Sequence, residues 1–256
     1  MKVSTFNVNS IRSRLHIVLP YLEEERPDVL CLQETKVSDD KFPKDVFEER
    51  GYRVFHSGDK RLSGVAVVTS LEPKEVQFGF DDGTEKDRLA FLRFKDFSLI
   101  NLYVPQGRKP DHPEFQHKLE FFEKLLDFIK SRFSPEDNLI ICGDLNVAPT
   151  PIDVHTPERL KGHVCFREEV WEAFKKLTDW GLVDLFRLHH PDEPGHYTFF
   201  DYRVRDAVKR GLGWRVDHIL ATKPLAERCE SCYVDMKPRL KEKPSDHTPL
   251  VAVFRD

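Results

Sequence analysis

Polar side chains that could bind a metal ion stand at the ends of strand-like runs in this 256-residue sequence. They are Asn7, Glu34, Asp144 with Asn146, and Asp246 with His247. A carboxylate beside an apolar core loses its hydration, so it needs a cation or a hydrogen-bond donor in place of water. Oxygen ligands suit Mg²⁺ or Mn²⁺ better than zinc. The pattern therefore predicts one hard-metal site that is assembled from distant segments.

The composition favours a single folded domain over residues 1–256. Hydrophobic residues make up 39% of the chain, which is enough for a sizeable core. No proline-rich linker or low-complexity segment divides it. A strand-like run begins directly at Lys2, and the longest apolar runs are too short to cross a bilayer. We therefore expect a cytoplasmic protein with no membrane partner.

The cysteines indicate neither a disulfide framework nor a zinc site. There are five, an odd number in a long chain. Cys31 and Cys142 lie within apolar strand-like runs, as core thiols do. Cys229 and Cys232 form a CxxC pair, but structural zinc needs a second pair of ligands at similar spacing, and the sequence offers none.

Two basic runs flank candidate site residues, although the net charge of the chain is −4. Residues 202–215 hold five arginines or lysines against one aspartate, and residues 236–243 hold four against one glutamate. Such runs are commonly solvated loop faces. Because these two lie beside Asp217 and Asp246, they also suit a polyanionic substrate, whose phosphates need cations beside the metal.

Hydrophobic periodicity predicts three helices. Apolar residues recur at intervals of three and four through residues 113–132, and a second stripe through residues 170–177 is ended by Gly181 as a C-terminal cap. A third runs through residues 15–22, where Pro20 must bend the helix or lie near one end. The stripe of the first helix consists of Phe115, Leu119, Phe122, Leu126 and Ile129.

Strand-like segments outnumber the helices and predict sheets with helices outside. The candidates are residues 2–7, 28–34, 52–56, 64–69, 89–94, 97–103, 138–143, 216–221 and 249–254. Residues 138–142 are almost continuously apolar, which is typical of a strand covered on both faces. Several short strands at hairpin spacing argue against a purely parallel, doubly wound sheet.

Six motifs in one order resemble the exonuclease III family of abasic-site endonucleases, within a wider group of metal-dependent phosphodiesterases. They are Phe6-Asn7-Val8-Asn9, Leu32-Gln33-Glu34-Thr35-Lys36, residues 101–107, Gly143-Asp144-Leu145-Asn146, residues 213–218 and Pro244-Ser245-Asp246-His247. The resemblance runs from residue 2 to residue 254. It implies an α+β fold, a four-layered sandwich of two packed mixed sheets with helices outside and the site at one rim.

The resemblance also implies the metal ligands. Asn7 and Glu34 correspond to residues that bind Mg²⁺ in the family, and we expect Mn²⁺ to substitute for it. Asp246 would reach the metal or a water bound to it.

The catalytic roles that the resemblance implies fall on five further residues. Asp144 would handle a proton at the attacking water or at the leaving group, and which of the two stays open. Asn146 would orient that carboxylate. Asp217 would fix the tautomer of His247 and favour the imidazolium that faces phosphate. Tyr103 would donate a hydrogen bond to the phosphate.

Two further groups match positions that contact the substrate in the family. Phe199, Trp214 and Val216 would line a small apolar pocket for an extruded abasic sugar, although such residues are also ordinary core residues. Extrusion costs least where no base needs unpairing, so the pocket could select abasic sites. The residues predicted to contact backbone phosphates are Arg12, Arg14, Lys36, Arg108 and Arg203.

The whole pattern predicts a Mg²⁺-dependent DNA repair nuclease that acts as a monomer. It would hydrolyse the phosphodiester 5' to an abasic site in double-stranded DNA and leave a 3' hydroxyl, with 3'-to-5' exonuclease and 3'-end-cleaning activity. One alternative is another phosphodiesterase of the wider group that acts on RNA or small phosphate esters. A second is a non-catalytic DNA-binding scaffold, which the complete set of catalytic residues disfavours.

Two residues depart from the family pattern. Ser10 stands where many relatives have glycine, which would alter the first loop without removing a ligand. Trp214 stands where the exonuclease III branch often has a smaller aliphatic residue, while other abasic endonucleases have tryptophan. The second departure leaves the balance between exonuclease and endonuclease activity open.

Overall fold

The computed structural model describes residues 1–59 and 62–256. Its strands are β1 (Lys2–Asn7), β2 (Val29–Gln33), β3 (Arg53–Ser57), β4 (Val65–Thr69), β5 (Glu75–Phe78), β6 (Leu89–Arg93), β7 (Ser98–Tyr103), β8 (Leu139–Asp144), β9 (Leu182–Asp184), β10 (Asp217–Thr222), β11 (Cys229–Val234) and β12 (Leu250–Phe254). Its α-helices are α1 (Ile11–Glu25), α2 (Lys44–Glu48), α3 (Pro113–Arg132), α4 (Pro157–Leu160), α5 (Glu168–Trp180), α6 (Leu185–His189) and α7 (Lys223–Ala226).

In the described residues the strands form two mixed sheets. The first has the order β11-β12-β1-β2-β4-β3 and the second the order β5-β6-β7-β8-β10-β9. One central pair in each sheet is parallel, β1 with β2 and β7 with β8, while the other neighbours are antiparallel.

Apolar side chains pack in three layers around these sheets. The inner faces share one core, which contains Val3, Cys31 and Ile140. The first sheet is covered outside by α1 and α2, and the second by α3 and α5. The predicted α+β four-layered sandwich is therefore confirmed. That the chain is a single domain stays a prediction.

The strands that the sequence did not predict are β5, β9 and β11, and all three are edge strands. The residues of β5 are exposed or half-buried, β9 has three residues, and β11 contains a register shift between Cys229 and Ser231. An edge strand pairs on one side only, so its sequence needs less apolar character than a central strand.

Cys31 and Cys142 are buried in the core, as predicted. All five cysteines are buried free thiols. Cys229 and Cys232 lie on β11, and neither belongs to a group of potential metal ligands among the residues described.

The helices agree with prediction in position but not fully in their buried face. The bounds of α3 are those predicted, yet it buries Lys118, Phe121, Leu125 and Phe128, whereas the predicted Leu119 and Leu126 are only partly buried beside α5. Contact with both a sheet and a second helix widens the buried stripe beyond a single row.

A proline in α1 and a glycine after α5 lie where their backbone properties are tolerated or needed. Pro20 lies inside α1 on its exposed side, where the backbone groups that it leaves unpaired can reach water. Gly181 ends α5 with a φ of 136° and donates its N–H to the carbonyl oxygens of Leu177 and Thr178, as predicted for a C-terminal cap. None of the helices in the described part of the chain combines the length and apolar character that crossing a bilayer requires.

Candidate active site

The ends of strands from both sheets meet at one rim of the sandwich. β1 ends at Asn7, and β8 ends at Asp144, which lies opposite Tyr103 on one neighbouring strand and Asp217 on the other. Asn7 Nδ2 donates to Glu34 Oε1 at 2.8 Å and to Asp144 Oδ2 at 2.9 Å. A single amide therefore connects the carboxylates of the two sheets.

The Asn7 amide is oriented unambiguously by these partners. Its Oδ1 accepts from the Asn9 backbone N–H at 3.0 Å, which only the amide oxygen can do, so its nitrogen faces the carboxylate oxygens of Glu34 and Asp144. Asn7 thus holds Glu34 and Asp144 in place. Its own side-chain oxygen, which is the atom that could bind a metal, points toward Asn9 instead. Its predicted role as a metal ligand stays a prediction.

His247 is held by one carboxylate and faces another. Its Nδ1 lies 2.7 Å from Asp217 Oδ2, and its Nε2 lies 3.7 Å from Asp144 Oδ2. Burial alone would lower the pKa of His247, but Asp217 and Asp144 outweigh it and raise the pKa to about 10. The predicted pairing of Asp217 with His247 is therefore present in the structure, with the ring favoured as imidazolium.

The site carries more negative charge than its own cations balance. Burial, together with the nearby Asp217 and Glu34, raises the pKa of Asp144 to about 7. Asp217 Oδ1 is buried without a hydrogen-bond partner in the described residues. Ligand atoms of Glu34, Asp144 and His247 lie within 4.8 Å of one another. The carboxylates of this group, Glu34 and Asp144, fit a divalent cation, whose charge would offset them, whereas the imidazolium of His247 has no lone pair to offer.

Three predicted residues complete the polar wall. Asp246 Oδ1 accepts from Asn9 Nδ2 at 3.2 Å. The backbone N–H of Asn146 donates to Asp144 Oδ1 at 3.0 Å, and Asn146 Nδ2 donates to the Val104 carbonyl at 2.9 Å. The phenol of Tyr103 is buried beside Glu34 and Asp144, and burial and these carboxylates raise its pKa well above the usual value.

A cavity of about 230 Å³ joins this polar wall to an apolar one. The apolar wall contains the predicted Phe199, Trp214 and Val216, and β-bridges hold Phe199 against Trp214 and His247. Four lining residues were not predicted, and they are Gln106, His163, Cys165 and Asp201. The His163 ring lies 4.7 Å from the Trp214 ring, and the short sequence run around it contains no motif that could have identified it.

The predicted phosphate contacts divide into two groups. Arg203 lines the cavity, and Lys36 Nζ lies 3.3 Å from Glu34 Oε2. The described lining does not include Arg12, Arg14 or Arg108. Arg12 is exposed, Arg14 donates to the Tyr202 hydroxyl at 3.1 Å, and Arg108 lies 3.6 Å from Glu114. Their contacts with phosphate stay predictions.

The sequence and the fold can be compared with those of known proteins. A family model described as the endonuclease/exonuclease/phosphatase family matches residues 4–247. The chain belongs to this family. It is 35% identical over 268 residues to exodeoxyribonuclease III of Haemophilus influenzae, with 100% of both chains covered.

Solved structures of family members superpose along the full length. An AP endonuclease from Archaeoglobus fulgidus has a TM-score of 0.97 and 53% identity, and a 3' phosphatase from Neisseria bound to product DNA hairpin has a TM-score of 0.95 and 34% identity. Each match covers 100% of both chains. The comparisons confirm the predicted family, fold class and enzyme type, a nuclease of the exodeoxyribonuclease III or abasic-site endonuclease kind.

Lys118, which the sequence did not predict as a site residue, supports the loops of the active site from within the core. It is fully buried on α3, and its Nζ donates to the carbonyl oxygens of Asn146 at 2.6 Å, Val164 at 2.8 Å and Gln106 at 3.1 Å. All three ammonium donors are thereby satisfied. The available signal was a lysine on the apolar face of a predicted helix.

We expect Lys118→Met to reduce turnover about tenfold, because the Asn146 carbonyl loses the buried donor that holds it. The variant also loses stability, by about 1–3 kcal/mol for each of the three buried carbonyls that finds no other donor. Steady-state kinetics and thermal unfolding would measure both effects, with Lys130→Met, an exposed lysine of the same helix, as the matched control. Unchanged kcat in a destabilised variant would contradict a positioning role for Lys118.

A second buried charge network lies behind the apolar wall. Arg215, between Trp214 and Val216, is fully buried and pairs with Asp153 at 2.6 Å and Asp184 at 2.8 Å. The sequence placed Arg215 only within a basic run, because its acidic partners are distant along the chain.

Three loops of the site adopt left-handed backbone conformations. Glu34 has a φ of 49°, Asn146 of 50° and Ser10 of 86°. Such values cost non-glycine residues about 1–3 kcal/mol. At Ser10, where glycine would relax the backbone, the hydroxyl accepts from the Ser13 N–H and caps α1. The serine therefore alters the first loop without contacting the carboxylates.

Proposed function

We propose that this protein is a Mg²⁺-dependent DNA repair nuclease that hydrolyses the phosphodiester 5' to an abasic site in duplex DNA and leaves a 3' hydroxyl. The observation that carries the proposal is the single cavity in which the carboxylate and imidazole cluster meets an apolar wall. The carboxylate and imidazole cluster can support phosphodiester hydrolysis, and a sugar without a base can lie against the apolar wall. The same site would support 3'-to-5' exonuclease and 3'-end-cleaning activity.

The relatives support DNA as the substrate. Their names include an exodeoxyribonuclease, an AP endonuclease and a 3' phosphatase bound to DNA. In this chain Arg203 lines the cavity, and Lys36 pairs with Glu34, which also lines it. Both could contact backbone phosphates, which supplies affinity without reading a sequence.

The cation would be held mainly by Glu34, with Asp246 contributing directly or through water. Mg²⁺ bound there would neutralise charge on the non-bridging phosphate oxygens and on the leaving oxygen, and Mn²⁺ is expected to substitute. Asn7 would keep Glu34 and Asp144 apart at a fixed spacing through its two donated hydrogen bonds.

Other residues of the site would transfer the proton and stabilise the negative charge on the phosphate. Asp144 lies at the cavity with one oxygen fixed by the Asn146 N–H, and it exchanges a proton with the attacking water or the leaving group. His247, held by Asp217, presents an imidazolium to the phosphate. Tyr103 offers its hydroxyl from the opposite side of Asp144 and can donate to a phosphate oxygen.

The substrate class is tested by offering several phosphodiesters side by side. A duplex with one abasic analogue, an intact duplex, a matching RNA and a small soluble phosphodiester would be incubated with Mg²⁺ and with EDTA. We expect rapid incision of the abasic duplex in Mg²⁺ and none in EDTA. Turnover of the RNA or the small ester without abasic incision would favour the alternative phosphodiesterase. DNA binding without any cleavage would favour the non-catalytic scaffold.

Trp214 is expected to bias the enzyme toward abasic incision. Trp214→Leu removes aromatic surface from the wall that would contact the extruded sugar, and burial of such surface contributes about 1–2 kcal/mol. The ratio of abasic incision to exonuclease rate should fall about tenfold. Trp214→Phe keeps an aromatic wall and should largely preserve the ratio. Equal loss of both activities in Trp214→Leu would contradict a role in selecting the lesion.

A further inference from the structure

Three potential metal ligands converge in the turn that follows α6, away from the active-site cavity. His190 Nδ1 lies 2.9 Å from Glu193 Oε2, and His196 Nε2 lies 3.0 Å from the same oxygen. The ligand atoms of all three residues lie within 4.8 Å of one another. The described lining of the cavity includes none of them.

The hydrogen bonds of His190 leave its Nδ1 available to bind a cation. His190 Nε2 lies 2.9 Å from the Cys232 carbonyl oxygen on β11, and a carbonyl can only accept. Nε2 therefore carries the hydrogen. In a neutral ring Nδ1 is then a lone pair that faces the carboxylate of Glu193, which is also an acceptor. A metal ion placed between the two would bind both.

The spacing suits a metal ion. Zinc bonds to imidazole nitrogen and carboxylate oxygen are about 2.0–2.2 Å long, so two ligands at tetrahedral or octahedral angles stand about 2.8–3.6 Å apart. The separations of 2.9 and 3.0 Å around Glu193 fall at the short end of that range. Small side-chain rotations would admit an ion.

The surroundings of His190 also resemble those of a metal-bound histidine. Its second ring nitrogen is fixed by a backbone carbonyl, and its ring stacks on Phe186 with centroids 4.6 Å apart. A metal-bound histidine typically donates its other N–H to a carbonyl or carboxylate in this way, which fixes the tautomer and the ring orientation.

We propose that His190, Glu193 and His196 form a second cation site, which takes a divalent transition-metal ion such as Zn²⁺. Two imidazoles and one carboxylate favour zinc, cobalt or nickel over Mg²⁺, which prefers oxygen ligands. Glu193 is exposed, so water can complete the coordination. This proposal is independent of the function proposed for the active site.

An ion at this position would restrict the motion of the turn that precedes the cavity wall. Residues 190–196 connect α6 to the segment that carries Phe199 on the cavity wall. Arg187 already ties the turn from inside by donating to the carbonyl oxygens of His190 at 2.9 Å and Glu193 at 2.8 Å. The ion would tie the same turn from the solvent side.

Metal titration of tag-free, chelator-stripped protein tests the proposal. Co²⁺ and Zn²⁺ binding would be followed by visible absorption of Co²⁺ and by calorimetry, in a Glu34→Gln background that weakens the active-site cluster. We expect one transition-metal site to persist in that background and its affinity to fall at least about tenfold on adding His196→Ala or Glu193→Gln. His117→Ala, which removes a different histidine paired with a glutamate, Glu85, is the matched control and should not alter binding.

Protection of the turn supplies a second readout. Hydrogen exchange of residues 190–196 should slow with Zn²⁺ in the Glu34→Gln protein, and this protection should be lost in His196→Ala. Circular dichroism would verify that the variants fold. Absence of binding at millimolar Zn²⁺, or unchanged affinity in both cluster variants, would show that a proton alone joins His190 to Glu193 and would overturn the proposal.

Discussion

Asp144→Asn is expected to reduce incision about 10²- to 10⁴-fold, the range that a positioned acid or base supplies. Asp144 is almost fully buried at the meeting point of both sheets, with one oxygen held by the Asn146 N–H and the other by Asn7. Asparagine keeps the shape of the side chain but cannot exchange a proton. The loss should therefore fall on kcat, with KM little changed.

Single-turnover kinetics on an abasic duplex would separate the chemical step from binding. Thermal unfolding provides the folding control, and we expect it to show no loss, because the substitution removes one of several buried negative charges. Asp201→Asn, a more exposed carboxylate at the same cavity, is the matched variant and should retain most of the rate. Incision by folded Asp144→Asn at the parent rate would remove Asp144 from the mechanism.

Arg215→Met should lower the free energy of unfolding at neutral pH by about 3–5 kcal/mol. The substitution leaves Asp153 and Asp184 buried without the guanidinium that pairs with both. Arg187 also contacts Asp153, so that carboxylate keeps one partner, while Asp184 loses its main one. Breaking a buried pair costs more than the pair contributes, because a charge remains in a medium of low dielectric constant.

The pH dependence of this loss has a definite sign. Burial would raise the pKa of Asp153, but Arg215 and Arg187 hold it at about 2, and Arg215 likewise keeps the pKa of Asp184 below its usual value. A lowered pKa stabilises the fold above the unfolded value of about 4, and this stabilisation disappears as the pH falls toward about 2. The difference between parent and Arg215→Met should therefore be largest near pH 7 and shrink at acid pH.

Urea unfolding at several pH values would measure this dependence. Arg203→Met removes an arginine that pairs with Asp201 at the surface, and it should not change stability measurably. Equal stability of Arg215→Met and the parent at pH 7, or a difference that grows in acid, would contradict the account of the network.

The layered fold and the position of the site could be predicted because their signals are local. Continuous apolar runs mark the central strands, and a polar residue at the end of a run marks the rim, where Asn7, Glu34 and Asp144 lie in contact. The edge strands were missed because half-exposed positions such as those of β5 relax the apolar pattern. The apolar pattern of a sequence reflects how deeply its residues are buried, and edge strands are less buried than central ones.

The supporting residues could not be predicted because their partners are distant in sequence. The acceptors of Lys118 come from three loops, and those of Arg215 lie 31 and 62 residues away. The orientation of Asn7 depends on carboxylates contributed by two other segments. A sequence pattern shows that a charge lies on an apolar face, but only the fold shows what satisfies it.

The most direct test of the proposed function maps the cut in a labelled duplex that carries one abasic analogue. We expect a single Mg²⁺-dependent incision immediately 5' to the lesion, with a 3' hydroxyl that a DNA polymerase can extend. EDTA and Asp144→Asn should both abolish it. A cut on the 3' side, a terminus that cannot be extended, or incision that persists in EDTA would contradict the assignment of this site.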